Sequence, residues 1–428
     1  MRIVQVNTLD IQGGAARAAY RLHRGLLSIG ADSTYFVRDK RTRDDTVRKF
    51  IPDPSPAAVA HRTACKTELD AAYDAYKATR SPDIEQFSHE RVDGDENFYI
   101  QRPRADVINL HWVAGFVDNR LFFTPDRTDC PVVWTLHDMN PFTGGCHFDQ
   151  ECGRFRTRCG ACPLLGSTEQ EDLTARIFDT KAGIFGQWPA HRLHIVAPSN
   201  WLVSVARSSA LFGKYDGTCI PNSIETDLFK PADQAAARAS LGLPQDARIV
   251  LFMSHQVGLA RKGFRELVQA LARIPDARDI LLIGVGDKNE ITIDAPVRVA
   301  MVNYIGDDAT VAALYSAADV TAVPSRQDNL PNTMLESMSC GTPVVGFDVG
   351  GIPDMVKEGE TGFLASAGNV PALCLAFMTA FADRDRLKAC GVRARARVEQ
   401  FHSPQVQARS YVALYERLIE DAGRKRGF

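Results

Sequence analysis

The chain has 428 residues, enough for two domains of ordinary size, each with its own core. Hydrophobic residues make up 45% and charged residues 24%, the balance of a globular protein rather than a disordered or fibrous one. A formal net charge of -2 supplies no global positive field, which argues against nucleic acid as a partner. The opening Met-Arg-Ile-Val-Gln-Val-Asn lacks a basic start followed by a long apolar core, so no secretory signal is read. No uninterrupted apolar run approaches the ~18 residues that cross a bilayer. The expectation is a cytoplasmic protein whose ten cysteines are reduced thiols or metal ligands rather than disulfides.

In chain order, Ile3, Val4 and Val6 form a short apolar run, and Gly13-Gly14 follows in a loop. Apolar residues then recur at Ala19, Leu22, Leu26 and Ile29, the spacing of one helix face, and Gly30 ends that helix. Thr34 to Val37 is β-branched and aromatic and predicts a second strand. Residues 39–101 are polar and broken by Pro52, Pro54, Pro56 and Pro82, which predicts an insertion with one or two helices, one of them around Ala64 to Thr79. Strands are predicted at Asp106 to Leu110, Val132 to Leu136 and Ile195 to Ala197. A second series starts at Ile249 to Met253 and continues at Ile280 to Ile283, Val320 to Val323 and Val344 to Phe347. Helical stretches from Phe264, over Ala309 to Ala318 and from Asn332 to Cys340 lie between these strands. Strands alternating with helices predict parallel sheets covered on both faces, here in two series joined near Ile220-Pro221-Asn222.

Ligands of such sheets bind at the carboxyl ends of the strands, so the segments just after each strand carry the functional expectation. The densest signal runs Pro-Ser-Arg-Gln-Asp-Asn-Leu-Pro-Asn-Thr-Met-Leu-Glu-Ser-Met-Ser-Cys-Gly-Thr-Pro-Val-Val after Val323. A helix starting near Asn332 points its free N–H groups at the cleft, a favourable place for a diphosphate, with Asn332 and Thr333 at its tip. Glu336 lies one turn inside, where a carboxylate can accept two hydrogen bonds from a ribose diol. Asp328, with Asn329 and Leu330 beside it, is placed to meet a donor sugar. Two adjacent glycines, Gly13 and Gly14, let a backbone approach a ligand closely. His137 and, more weakly, His111 follow strands, and Asp138 is a candidate to orient the His137 ring.

The Asp328-to-Glu336 spacing before Met338-Ser339-Cys340-Gly341-Thr342-Pro343-Val344-Val345 resembles the retaining GT-B glycosyltransferases often called family 4. That family carries Glu-x7-Glu, so Asp328 departs from it by one methylene. The resemblance implies two Rossmann-like doubly wound α/β domains facing a cleft. Residues 1–220 would form the acceptor-side domain, with helix 404–428 packed back on it, and 221–403 the nucleotide-sugar domain. It implies that His137, Asp328 and Lys262 are catalytic. Gly13, Gly14, Arg261, Lys262, Asn329, Leu330, Asn332, Thr333 and Glu336 would bind the donor, with Tyr304 near the base. Gln256 stands where a companion arginine is usual, and Arg261 would substitute. The implied reaction moves a hexosyl-type sugar from a UDP- or GDP-sugar to a saccharide or lipid-linked saccharide, with retention. It needs no catalytic divalent metal and allows peripheral contact with the inner membrane face. A sugar-nucleotide epimerase and a non-catalytic partner subunit are the alternatives.

Cys146, Cys152, Cys159 and Cys162 are spaced Cys-x5-Cys-x6-Cys-x2-Cys. Four thiolates can close a tetrahedral zinc site, so a structural zinc in loop 146–162 is expected, with His147 able to replace one thiolate.

Overall fold

Short runs of aliphatic and β-branched residues, buried on both sides, form the strands of two parallel sheets. The computed structural model describes residues 1–82, 84–287 and 296–426. By its contacts the chain divides into two units, Met1–Ile220 with the chain from Ala408 onward, and Pro221–Gln407. Gly427 and Phe428, part of the expected last helix, lie outside the described residues.

In the first unit the strands are β1 (Arg2–Leu9), β2 (Asp32–Asp39), β3 (Val47–Lys49), β4 (Val107–Leu110), β5 (Val132–Thr135), β6 (Leu193–Ala197) and β7 (Asp216–Cys219). They pair in parallel in the order β3-β2-β1-β4-β5-β6-β7. Alternation along each strand divides the core between the two faces. Val4, Val6, Ile108, Leu110, Val132 and Trp134 join an aromatic cluster with Phe36, Phe122, Phe185 and Phe212. Ile3, Val107 and Val133 face the other way, onto Leu22 and Leu26 of helix Gly14–Ser28 and onto Tyr411, Leu414 and Tyr415 of the last helix, Pro404–Arg426.

The segment read as an insertion is partly sheet. Strand β3 pairs with β2 at the sheet edge, and Phe50 after it is buried against Phe36 and Phe116. The helix expected around Ala64 to Thr79 runs instead over Pro56–Asp74. Pro56 starts it rather than breaking it, because the first helical position needs no N–H, and the Ser55 side chain accepts from the Ala58 N–H at 3.3 Å. None of this helix's residues is buried, which explains its weak apolar period.

The second unit carries β8 (Arg248–Gln256), β9 (Ile280–Asp287), β10 (Arg298–Val302), β11 (Val320–Val323), β12 (Val344–Phe347) and β13 (Gly362–Ala365), in the parallel order β10-β9-β8-β11-β12-β13. Gly284 and Gly286 lie inside β9. Val250 and Phe252 belong to the core of one face, Ile249 and Leu251 to that of the other.

Both sheets reverse their winding next to their first strand. The chain runs outward from β1 to β3, then crosses to β4 on the other side of β1. It does the same from β8 to β10, then β11. At such a point the loops after the two adjacent strands part and leave a crevice at the carboxyl ends.

Candidate functional site

In the second unit the crevice lies after β8 and β11, and the residues singled out in the sequence meet there. After β8, a short turn, Ala260–Lys262, ends at Gly263 and leads into helix Phe264–Leu271. After β11, the loop 324–331 leads into helix Asn332–Ser339. The Lys262 ammonium donates to Asp328 Oδ2 at 2.6 Å, and Arg261 Nη1 lies 3.5 Å from the same oxygen. Arg261 Nη1 also donates to the Gln327 carbonyl at 2.7 Å, and the Ser325 hydroxyl donates to Asp328 Oδ2 at 3.0 Å. Burial alone would raise the Asp328 carboxyl, but the Lys262 and Arg261 charges outweigh it and hold it below its ordinary value. Lys262 and Arg261 thus share the one carboxylate of Asp328.

Helix Asn332–Ser339 opens on Pro331, whose side chain makes no capping hydrogen bond. The N-terminal end of a helix is a favourable place for an anion. Glu336 is buried one turn in, and its Oε2 accepts from the buried Tyr315 hydroxyl at 3.1 Å. Asn329 and Leu330 are buried in the same loop, and the Asn329 N–H donates to Asp328 Oδ1 at 3.1 Å. Tyr304 is 55% exposed, edge-on to His255 at 5.8 Å between ring centres, and Gln256 closes β8. Tyr315 and Ser325 carry no sequence signal, since each becomes a partner only through the fold.

The turn at Gly350-Gly351 supports this loop from below. Gly351 N–H donates to the Asp328 carbonyl at 3.2 Å, and Gly350 adopts φ +58. A Cβ on Gly350 would lie 1.8 Å from the Asp328 carbonyl oxygen. Gly350→Ala is therefore expected to destabilise the second unit by about 3 kcal/mol, from left-handed strain plus overpacking. Urea denaturation measures this, and an unchanged midpoint would remove the supporting role.

The crevice of the first unit lies after β1 and β4, with β5 beside them. Gly13 starts helix Gly14–Ser28 at φ 84, a backbone conformation that favours glycine. His111 follows β4 and His137 follows β5, and their rings stack with Nδ1 of His111 3.0 Å from Nε2 of His137. Burial lowers both rings, His137 to about 4 and His111 well below its ordinary value, so both are neutral at neutral pH.

Asp138 does not hold the His137 ring by a hydrogen bond, as its sequence position suggested. Its Oδ2 meets His147 Nδ1 at 2.6 Å and accepts from the Trp112 indole at 3.1 Å, and its Oδ1 accepts from the Asn140 N–H at 2.9 Å. His147 Nε2 lies 2.9 Å from the Ser88 hydroxyl. With both ring nitrogens engaged, His147 is not placed to replace a thiolate.

Cys146, Cys152, Cys159 and Cys162 line one small cavity, as their spacing suggested, and all four are free. The zinc expectation finds no support in the geometry. Among the described residues, no group of three or more His, Cys, Asp or Glu side chains is arranged to hold a metal ion. Cys159 instead accepts from the Gly144 N–H at 3.3 Å, and burial raises the Cys146, Cys159 and Cys162 thiols, Cys159 to about 12.

The comparisons with known proteins agree with this geometry. Residues 247–383, within the second unit, match the family described as glycosyl transferases group 1. The two units are those of the GT-B fold. Over 158 residues the chain is 36% identical to the D-inositol 3-phosphate glycosyltransferase of Mycobacterium tuberculosis, covering 34% of this chain. The match spans only about a third of that relative, 32% of its length. The fold is shared with the sucrose-phosphate synthase of Thermosynechococcus elongatus at TM-score 0.66 and 22% identity, over 98% of this chain and 100% of that one. It is also shared with Alr3699/HepE of Anabaena, solved in complex with UDP and glucose, at TM-score 0.63 and 16% identity, over 97% and 99%. Among the described residues no helix is long and apolar enough to cross a membrane.

Proposed function

We propose that this protein is a retaining glycosyltransferase that moves a hexosyl-type sugar from a nucleotide diphosphate sugar to a saccharide or lipid-linked saccharide. The observation that carries the reading is the crevice after β8 and β11, where Lys262, Arg261 and the N-terminal end of helix Asn332–Ser339 come together. A departing diphosphate is the group whose charge grows during such a transfer, and fixed positive groups stabilise it without reorganisation. Lys262 and Arg261 take the phosphate oxygens, the N–H groups of Asn332 and Thr333 take the rest, and Glu336 takes the ribose diol. Asp328 positions Lys262 through their 2.6 Å contact. His137 and the loop at Gly13-Gly14 act on the sugar and acceptor. The UDP complex of the Anabaena neighbour favours UDP as the first nucleotide to try. The acceptor proton passes to the leaving phosphate oxygen, since no side chain here is offered as a nucleophile. A lipid-linked acceptor would bring the protein to the inner face of the membrane.

Melting the protein with UDP, GDP, ADP and their sugars, with and without chelator, tests the reading. A ligand at a hundred times its Kd adds about 2.7 kcal/mol, visible as a rise in Tm. One nucleotide class is expected to give that rise, and Glu336→Ala to abolish it. No rise with any nucleotide would overturn the donor site and leave the non-catalytic alternative.

A further inference from the structure

A row of buried polar side chains crosses the first sheet beneath His137 and ends on the last helix. Gln5 on β1, Asn109 on β4 and Thr135 on β5 are at most 3% exposed, and Gln5 and Asn109 are partners in register. Three polar residues on adjacent strands of a parallel sheet interrupt an otherwise apolar face, so each must find a partner. The partners come from helix Pro404–Arg426. Tyr411 Oη lies 3.0 Å from Thr135 Oγ1, and Tyr415 Oη accepts from Asn109 Nδ2 at 2.8 Å and from Gln5 Nε2 at 3.2 Å. Thr135 Oγ1 donates to Asn109 Oδ1 at 2.9 Å, which turns the Asn109 amide nitrogen toward Tyr415.

The row has a direction, and the direction reaches His137. With its nitrogen on Tyr415, the Gln5 amide presents Oε1 to His111 Nε2 at 2.5 Å. A carbonyl oxygen only accepts, so His111 carries its proton on Nε2 and has a lone pair on Nδ1. That lone pair faces His137 Nε2 at 3.0 Å, so His137 must carry its proton on Nε2 as well. A single neutral tautomer at His137 is thus dictated from the last helix, through one amide and one imidazole.

We infer that Gln5, His111 and Tyr415 are positioning residues that fix the orientation and tautomer of His137. The site of the first unit thereby depends on a helix more than 270 residues away in sequence, Tyr415 to His137. The consequence for sugar transfer rests on the function proposed above; the tautomer itself does not. An imidazole offered to a hydroxyl in the wrong tautomer presents a lone pair where a donor is needed, or the reverse.

The chain of bonds is tested by nitrogen-15 NMR of the full-length protein labelled at histidine, in which the two neutral tautomers have distinct shifts. His137 is assigned by its loss in His137→Asn. The expected result is one tautomer, protonated at Nε2, at both His111 and His137. Tyr415→Phe removes the acceptor that holds the Gln5 nitrogen and is expected to give a mixture at both rings. Gln5→Glu, whose carboxylate can only accept, is expected to keep the Nε2 proton. Protonation at Nδ1 of His137 in the wild type would overturn the inference, since it requires Tyr415 to donate and the Gln5 amide to be reversed. An unchanged spectrum in Tyr415→Phe would overturn it too. If the protein proves to be a transferase, Tyr415→Phe should lower kcat/KM by about tenfold to a hundredfold, as loss of an orienting partner commonly does. Unaltered spectra with a lost activity, or altered spectra without transfer in the wild type, separate the failure of this inference from that of the proposed function.

Discussion

Lys262→Ala is expected to lower kcat/KM for donor-sugar transfer by about 10²- to 10³-fold, the usual cost of removing one preorganised group from a developing anion. Lys262 is the most exposed charge of its cluster, at 23% against 7% for Arg261 and 9% for Asp328. It is therefore the cation best able to leave its carboxylate partner for a phosphate. Arg261 also donates to the Gln327 carbonyl, which holds it in place beside Lys262. The same contact predicts a different outcome for Asp328→Asn. The amide keeps the shape but leaves Lys262 and Arg261 facing each other without a counter-charge. Breaking a buried ion pair from one side costs about 3–5 kcal/mol. The Asp328→Asn variant should lose stability, while its affinity for nucleoside diphosphate is held or raised by the extra net positive charge. Steady-state kinetics, urea denaturation and titration with UDP separate the two variants. A Lys262→Ala enzyme of undiminished kcat/KM would sink the assignment of the diphosphate to this crevice.

Much of this architecture was legible in the chain, for a physical reason. Strands buried on both faces are mostly apolar, so β4, β5, β11 and β12 stand out as Val-Ile-Asn-Leu, Val-Val-Trp-Thr, Val-Thr-Ala-Val and Val-Val-Gly-Phe. The edge strands did not stand out. In β7 and β10 every residue is at least partly exposed, so neither has an apolar signature to read. The half-site of the second unit was legible because its parts, 261–263 and 324–336, are contiguous runs after strands. The contacts that define it were not. Asp328 is read in the sequence as facing a sugar, whereas the fold hands its carboxylate to Lys262. Asp138 is read as the partner of its neighbour His137, whereas the chain turns between them and gives it His147 and Trp112. His111, weaker in the sequence, is the residue that touches His137. Sequence adjacency says little about where two side chains point, and a polar residue buried on a sheet names its need for a partner but not which one.

The folded protein is expected to lose stability steeply as the pH falls from 6.5 to about 4, and the first unit should lose it sooner. Burial lowers the rings of His23, His89, His137, His194 and His402 to about 4, from an ordinary 6.5. His111 is lowered further still. The unfolded chain takes up protons on these rings near 6.5, and the folded chain only near 4. Between those values the unfolded state binds more protons, so folding weakens as pH drops and the weakening is complete below 4. Each fully buried ring contributes about 3 kcal/mol to this loss. His23, His89, His111, His137 and His194 belong to the first unit and His402 to the second. Their partners do not rescue them. His23 faces the hydroxyls of Ser33 and Thr46, and His194 faces that of Thr218, neutral groups that a cationic ring would gain little from. Glu90 and Asp93, whose carboxyls burial raises, work in the opposite direction, but they are two against five rings in the same unit. Urea denaturation followed at pH 7.5, 6 and 5 should show the midpoint falling and the single transition splitting, with the first unit unfolding at the lower urea concentration. His194→Gln, which keeps a hydrogen bond to Thr218 and cannot titrate, should flatten the dependence by about 3 kcal/mol. A midpoint that does not move across this range would mean that the rings already take up their protons in the folded state, and that the first unit opens to water around them.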